Sequence, residues 1–92
     1  MNYSELHYIL CIAKHQNLTR AAQELYISQP TLTKHLQKLE REMGAKLFSR
    51  NGNTYVPTYT GRKYMEYARK ILQVKQDWEK ELKDLTENNE GN

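Results

Sequence analysis

Near the start of the chain, apolar residues repeat at the spacing of a helix. They fall at positions i, i+3, i+4 and i+7 and form one face: Leu6, Ile9, Leu10 and Ala13. Asn2 followed by Glu5 has the spacing of a capping box, which predicts where this first helix begins. Asn17 can adopt the left-handed conformation that ends such a helix.

A short helix and a tight turn are predicted next. Thr19 is the expected N-cap of this second helix, which ends at Leu25. Three apolar residues are expected to face inward: Ala21, Ala22 and Leu25. Tyr26–Ile27 then forms the turn into the third helix.

The third helix has clear start and stop signals. Ser28 is expected to cap it, and Pro30 fits its first turn because an N–H there would have no partner in the helix. Gly44 is expected to end it. Its buried stripe follows the helical spacing: Leu32, Leu36, Leu39 and Met43.

Two short strands and a long helix complete the pattern. The strands are predicted at Leu47–Phe48 and Thr54–Val56. The turn between them, residues 50–53, contains an Asn-Gly pair, which is a strong hairpin signal. Thr58 is expected to cap a last helix that runs to about Thr86 and is on the order of 40 Å long.

This order predicts a mainly α fold. It is a winged helix-turn-helix, with three helices plus a small β-hairpin wing, followed by a long linker helix. The predicted segments are a DNA-binding head at 1–58 (helix-turn-helix about 18–37, wing about 46–57), a linker and dimerisation helix at 59–86, and a frayed tail at 87–92.

One side of the third helix is suited to DNA. At about 100° per residue, Lys34, Gln37 and Arg41 lie opposite the apolar stripe, with no carboxylate near the centre of that side. Cations, amides and hydroxyls bind base edges and phosphates in a major groove. Ser28 and Gln29 lie at the helix N-terminus, where free N–H groups attract phosphate. An ordinary solvated face carries similar residues, so the surrounding helix, turn and hairpin decide the interpretation.

Several separate motifs together resemble one family. They are Leu18-Thr19-Arg20-Ala21-Ala22, Leu25, Ser28-Gln29-Pro30-Thr31-Leu32-Thr33-Lys34, Leu39-Glu40, Gly44, Leu47-Phe48, Arg50, Thr58 and Gly61. Through them, about residues 3–70 resemble the N-terminal domain of LysR-type transcriptional regulators. The resemblance implies a third helix that enters the major groove, a wing near the minor groove, and a linker helix that pairs with its copy in a dimer.

The same resemblance implies roles for individual residues. Base contacts are expected from Gln29, Pro30, Thr33 and Lys34. Phosphate contacts are expected mostly from Ser28, Thr31 and Lys38, and wing contacts from Arg50 and Asn53. Thr19 and Gln37 complete the predicted DNA-binding set.

The sequence also departs from the family pattern. Thr33 stands where the family often has serine, and the added methyl can change base preference. Asn51 follows the wing arginine where the family often has a second basic residue, which implies weaker contact with the minor groove.

The family continues into a large effector-binding domain, whereas this sequence stops at Asn92. A fragment of a longer protein is therefore expected, and no effector is inferred.

The last helix carries an apolar stripe along one side: Tyr64, Ala68, Ile71, Trp78, Leu82 and Leu85. Lys75 interrupts the stripe and would have to extend its charge to water. The first half is expected to pack on the head, whose core is expected within residues 6–56. The far half extends beyond the head, so a second copy is the simplest partner. The predicted dimerisation residues are Ile71, Trp78, Leu82 and Leu85.

The charge distribution narrows the class of partner. The net charge is +3, and residues 1–60 hold seven Lys/Arg against four Asp/Glu, whereas residues 61–92 hold seven of each. The basic excess of the front part favours a polyanion, and the expected polyanion is double-stranded DNA. If two heads are joined through their long helices, the operator is expected to have an interrupted dyad. The second expected partner is another copy of the same chain, in a homodimer. The full-length protein could also form a tetramer. No stretch of 18 apolar residues occurs, so no membrane partner is expected.

The candidate metal ligands of the first helix are too widely spaced to bind one ion together. His7, Cys11 and His15 stand at i, i+4 and i+8, but the outer two lie about 12 Å apart along a helix and cannot share one ion. The sequence therefore predicts neither a metal site nor a cofactor. A single cysteine fits a reducing cytoplasm. Without a Gly-rich phosphate loop or paired catalytic carboxylates, an enzyme is not expected.

One alternative from another class stays open at this point. The chain could be a protein-interaction module, with its basic face solvated and its long helix bound to a different protein. Duplex binding that depends on both salt and sequence would distinguish DNA recognition from this alternative.

Overall fold

Four helices and one β-hairpin make up residues 2–88, which the computed structural model describes. The elements are α1 (Tyr3–His15), α2 (Leu18–Leu25), α3 (Gln29–Met43), β1 (Phe48–Asn51), β2 (Thr54–Pro57) and α4 (Tyr59–Asn88). The predicted winged helix-turn-helix with a long last helix is therefore confirmed. Two residues of the predicted frayed tail, Glu87 and Asn88, are helical, and the rest of that tail lies outside the described residues.

The first two helices are capped by asparagines. The side chain of Asn2 accepts the backbone N–H of Glu5 at 2.9 Å, which confirms the start of α1. Gln16, with a φ of 54°, takes the left-handed position that was expected for Asn17. Asn17 instead caps α2 by accepting the N–H of Arg20 at 2.8 Å. The Thr19 cap is therefore wrong: α2 begins at Leu18, two residues earlier than a cap at Thr19 would allow, and Leu18 is buried in the core.

The boundaries of α3 agree with the sequence prediction. The Ser28 hydroxyl accepts the N–H of Thr31 at 3.2 Å, and Pro30 lies in the first turn. Gly44 ends the helix with a φ of 68°, a left-handed conformation that glycine adopts without a side-chain penalty.

The core is built from all four helices and from the start of the hairpin. Its buried apolar residues are Leu6, Ile9, Cys11, Ile12, Leu18, Ala21, Ala22, Leu32, Leu36, Leu39, Leu47, Phe48, Tyr64 and Ala68. In α1, Cys11 and Ile12 are buried, whereas Leu10 and Ala13 are only half-buried, because this helix packs against α2, α3 and α4. The expected core at 6–56 is too short, since α4 contributes to it.

The last turn of α3 differs from its predicted stripe. Met43 is 38% exposed, and Glu40 is buried in its place. The reason is a specific bond: the Glu40 carboxylate accepts the backbone N–H of Leu47 at 2.7 Å. A carboxylate turned inward in this way satisfies a buried donor at the beginning of the wing.

The hairpin is longer and its turn tighter than predicted. The antiparallel strands pair from Phe48 with Pro57 to Asn51 with Thr54. Arg50 therefore lies in β1 and not in the turn, and Gly52 provides the positive φ that the turn needs. The backbone N–H of Tyr55 donates to the Gln16 carbonyl at 2.9 Å, which attaches the hairpin to the α1–α2 connection.

Leu47 and Thr58 join the wing to α4. Leu47 is fully buried, and its carbonyl accepts the backbone N–H of Thr58 at 2.9 Å. The Thr58 hydroxyl donates to the Lys46 carbonyl at 2.7 Å and accepts the N–H of Gly61 at 3.0 Å, which confirms the predicted cap. Gly61 lies directly against the Leu47 backbone, so that only a residue without a Cβ fits there.

The long helix leaves the head after about half of its length. Tyr64 and Ala68 are buried against the head, whereas the later part of the apolar stripe is exposed, with Ile71 37%, Trp78 53%, Leu82 42% and Leu85 52% accessible. The molecule measures 59 × 26 × 20 Å, and its long dimension reflects the part of α4 that projects beyond the head. Among residues 2–88, no helix is long and apolar enough to cross a membrane.

We predict that Gly61→Ala lowers the free energy of unfolding by about 1–3 kcal/mol, because the added Cβ would overlap the Leu47 backbone and force the wing and α4 apart. Urea unfolding measures the change. Thr60→Ala, at the exposed neighbouring position, should stay within about 0.5 kcal/mol of the parent chain. Equal stability of the two variants would contradict the close packing.

Candidate nucleic-acid interface

The predicted DNA-binding side chains are accessible to solvent. Thr33 is half-buried, and the others are exposed: Thr19, Ser28, Gln29, Pro30, Thr31, Lys34, Gln37, Lys38, Arg50 and Asn53. Lys34, Lys38 and Arg41 form no ion pair within residues 2–88. Side chains in this state can exchange water for an anionic partner without breaking an internal salt bridge.

Hydrogen bonds fix the side chains in the first turn of α3. The Ser28 hydroxyl donates to the Thr31 hydroxyl at 2.7 Å. The Gln29 amide donates to the Thr33 hydroxyl at 2.9 Å, and that hydroxyl donates to the Gln29 carbonyl at 3.0 Å. These bonds orient the Gln29 amide and the Thr33 methyl before any ligand arrives, which reduces the entropy that binding would cost.

The wing brings a second set of predicted residues beside α3. One surface groove is lined by Thr33 and Gln37 from α3 together with Arg50 from β1. A second groove, more polar, is lined by Thr19, Gln29, Arg50 and Asn53 among others. Arg50 lines both grooves, so the wing and the helix-turn-helix form one continuous surface.

Tyr55 is part of this surface and was missed in the sequence. It lines both grooves, and the Arg50 guanidinium lies over its ring at 5.6 Å from the centroid. Arg50 Nε also donates to the Gly52 carbonyl at 3.0 Å. The two contacts hold the arginine in place while its terminal nitrogens stay available. Only the pairing of Tyr55 with Arg50 across the hairpin reveals this role, and that register is fixed by the turn.

Two of the four carboxylates in residues 1–60 are occupied by partners away from the exposed side of α3. Glu24 accepts hydrogen bonds from Lys14 at 2.7 Å and from His15 at 3.0 Å. The hydrogen bond from Lys14 is the main cause that lowers the pKa of Glu24 to about 2, with His15 and Cys11 adding to it. Glu40 is buried under the wing. Internal partners therefore occupy both of these carboxylates, whereas Lys34, Lys38 and Arg41 on α3 form no ion pair within residues 2–88.

The predicted dimerisation residues lie on the part of α4 that projects from the head. Lys75, which interrupts this stripe, bonds to Glu79 at 2.8 Å, and its ammonium lies 5.0 Å from the centroid of the Tyr3 ring. The hydrogen bond with Glu79 raises the pKa of Lys75 above its ordinary value. The Lys75 ammonium therefore forms an ion pair with Glu79, which lies one turn further along α4.

Comparisons with known proteins agree on one family. The sequence profile of the bacterial regulatory helix-turn-helix proteins of the lysR family matches residues 3–62. The HTH-type transcriptional regulator CitR of Bacillus subtilis (strain 168) is 38% identical over 85 residues, which are 92% of this chain and 28% of the relative. The RuBisCO operon transcriptional regulator of Allochromatium vinosum is 38% identical over 81 residues, 88% of this chain and 27% of that protein. The chain thus spans under a third of these relatives.

Solved structures show the same architecture. The chain superposes on the BenM_DBD/catB site 1 DNA complex with a TM-score of 0.90 and 29% identity, covering 97% of this chain and 96% of that one. For the CbnR_DBD-DNA complex the TM-score is 0.86 with 29% identity, and the coverage is 94% and 99%. In both comparisons the head and the long helix are included, since nearly the whole of each chain is covered.

We predict that Glu40→Ala lowers the free energy of unfolding by about 1–3 kcal/mol, because the buried N–H of Leu47 would lose its acceptor. Thermal and urea unfolding measure the change. Glu42→Ala is the matched control, since Glu42 is exposed on the same helix and should contribute within about 0.5 kcal/mol. If the two variants lose the same amount, Glu40 does not anchor the wing.

Proposed function

The chain belongs to the lysR family of bacterial regulatory helix-turn-helix proteins, and we propose that it binds double-stranded DNA sequence-specifically as the DNA-binding part of a bacterial transcription regulator. The observation that carries the proposal is the exposed side of α3, which bears amides, hydroxyls and cations that form no ion pair within residues 2–88, beside a wing arginine. The proposed activity is DNA binding and not catalysis. The protein would act in the cytoplasm, where bacterial DNA is located. The relatives named above are themselves transcriptional regulators.

The third helix reads sequence in the major groove. Gln29 and Lys34 present an amide and an ammonium that can hydrogen-bond to base edges, and Pro30 and the Thr33 methyl offer apolar contact. Gln37 lies about two turns after Gln29 on the exposed side of α3. Side chains that are already oriented discriminate between bases more sharply, because little freedom is left to adapt to a wrong one.

Phosphate contacts hold the helix in register. Ser28 and Thr31 lie at the N-terminus of α3, where unpaired N–H groups and the helix dipole favour an anion. Lys38 supplies a cation further along, and Thr19 lies at the start of α2. Arg50 and Asn53 extend the contact from the wing to the minor groove. Each cation that neutralises a phosphate adds to the salt dependence of binding.

A dimer presents two such heads to the DNA. The exposed stripe of Ile71, Trp78, Leu82 and Leu85 pairs with the same stripe of a second copy, which removes these side chains from water. Two recognition helices then meet two half-sites that are separated by about one helical turn or a multiple of it, so the operator has an interrupted dyad. In the full-length protein, such dimers can associate into a tetramer.

We predict that Lys34→Ala weakens binding to the operator by about 1–3 kcal/mol and reduces discrimination against scrambled DNA, because a base contact is lost. Competition titrations of both duplexes at fixed salt measure the change. Lys38→Ala should weaken binding to both duplexes equally, and Lys80→Ala, on the projecting part of α4, should change neither. An equal loss on both duplexes for Lys34→Ala would make Lys34 a phosphate contact. A parent chain that binds no duplex would favour the protein-interaction alternative.

We predict that replacing Trp78 and Leu82 with Asp yields monomers and lowers operator affinity steeply, because charges enter the apolar seam and the second head is no longer held near its half-site. Sedimentation measures the oligomeric state. The control places the same charges on the other side of α4 through Gln76→Asp and Lys80→Asp and should remain dimeric. A parent chain that is monomeric at high micromolar concentration, or a Trp78/Leu82 variant that stays dimeric, would exclude this helix as the joint.

A further inference from the structure

A cluster of three metal-ligating side chains lies outside the DNA-binding surface. Cys11 and His15 are one turn apart on α1, and Glu24 reaches them from α2. The Cys11 thiol donates to one carboxylate oxygen of Glu24 at 3.2 Å, and His15 Nε2 lies 3.0 Å from the other oxygen. The three possible ligand atoms lie within 4.8 Å of one another.

We propose that Cys11, His15 and Glu24 form a binding site for a zinc-type divalent cation that joins α1 to α2. A sulfur, an imidazole nitrogen and a carboxylate oxygen are three ligands that Zn²⁺ accepts in a tetrahedral site, with water as the fourth ligand. The soft thiolate and the imidazole favour Zn²⁺ or Co²⁺ over Mg²⁺ and Ca²⁺, which prefer oxygen ligands alone.

The geometry requires little rearrangement of the backbone. Cys11 and His15 stand at i and i+4, so their side chains project from the same side of α1. Glu24 lies at the surface with 44% of its side chain exposed, which leaves the cluster open to ions from solution. Cys11 is itself buried, with 5% of the residue exposed, and its Sγ also lies 3.6 Å from the Ala21 carbonyl oxygen. The ion would therefore enter from the Glu24 side.

Charge and protons balance on binding. The S–H bond of Cys11 breaks, its proton passes to solvent, and a Zn–S bond forms, so that thiolate and carboxylate together neutralise the two charges of the ion. The neutral His15 imidazole binds through Nε2, so Nε2 gives up the proton that it donates to Glu24 in the free protein, and Nδ1 carries the ring proton instead. Burial, with Glu24 adding to it, raises the pKa of the Cys11 thiol to about 11, so the free protein holds this proton at neutral pH. Lys14, at 2.7 Å from Glu24, has to release the carboxylate, and exposed pairs of this kind contribute little stability.

The sequence pattern concealed this site because it offered the wrong third ligand. His7 has the helical spacing to Cys11, but it is exposed and too far from His15 to share an ion with it. Glu24 is thirteen positions from Cys11 along the chain and becomes a neighbour only when α2 packs on α1. Bound metal would cross-link the first helix of the head to the first helix of the helix-turn-helix.

Titration of the chain with Co²⁺ and Zn²⁺ tests the proposal. With Co²⁺ we expect the charge-transfer absorption of a cobalt–thiolate bond together with the intense visible bands of tetrahedral coordination. Saturating Zn²⁺ should raise the Tm by roughly 5 °C or more, because the ion binds the folded state only. Mg²⁺ at the same concentration should have no effect.

Variants separate this site from adventitious binding. Cys11→Ser should abolish the thiolate absorption, and His15→Gln should weaken Zn²⁺ binding about tenfold or more. The matched control, His7→Gln, alters an exposed histidine of the same helix and should bind metal like the parent chain. The Tm of each variant without metal shows that it folds. A folded parent chain without the thiolate absorption, or an equal loss of binding in His7→Gln and His15→Gln, would overturn the proposal.

Discussion

The arrangement of the molecule depends on how the backbone of Leu47 is held. Its N–H donates to the Glu40 carboxylate at the end of α3, and its carbonyl accepts the N–H of Thr58 at the beginning of α4. Its side chain is fully buried, and Gly61 leaves no space between α4 and the Leu47 backbone. One residue outside regular structure therefore connects the recognition helix, the wing and the long helix, and each of these elements would lose its position without it.

This constraint explains why the candidate interface is one surface although it is built from separated segments. Because Leu47 fixes the start of β1, the hairpin register places Arg50 against Tyr55 and beside Thr33. The bond from Tyr55 N–H to the Gln16 carbonyl holds the opposite side of the hairpin. The wing is thus attached to the head at two points, which fixes the position of Arg50 relative to the first turn of α3. Using Glu40 as an internal acceptor also removes a carboxylate from a surface that would otherwise repel phosphate.

The sequence predicted those features whose physical cause lies within a few residues. The caps by Asn2, Ser28 and Thr58 and the glycine stop at Gly44 depend on neighbouring backbone groups, so local spacing was sufficient. Where two cap residues compete, as Asn17 and Thr19 do, the packing of Leu18 decides, and that lies outside any local pattern. Burial of Glu40 requires the approach of a segment seven residues further along, so its inward orientation was not predicted and Met43 was assigned to the core instead. Pairings between distant elements, such as Tyr55 with Gln16 or Glu24 with Cys11, could not be found from spacing.

The junction between head and long helix also determines what a dimer can recognise. Tyr64 and Ala68 are buried in the head, and the same continuous helix carries Trp78 and Leu82 about three to five turns later. Packing against the head fixes the rotation of this helix about its axis at one end, and in the proposed dimer the exposed stripe would fix it at the other. If two copies pair through the exposed stripe, the separation and angle of their recognition helices are therefore set by the Leu47–Gly61 contact and not by the residues that touch DNA. The distance between half-sites is then a property of the core, and the bases read within each half-site are a property of the surface of α3.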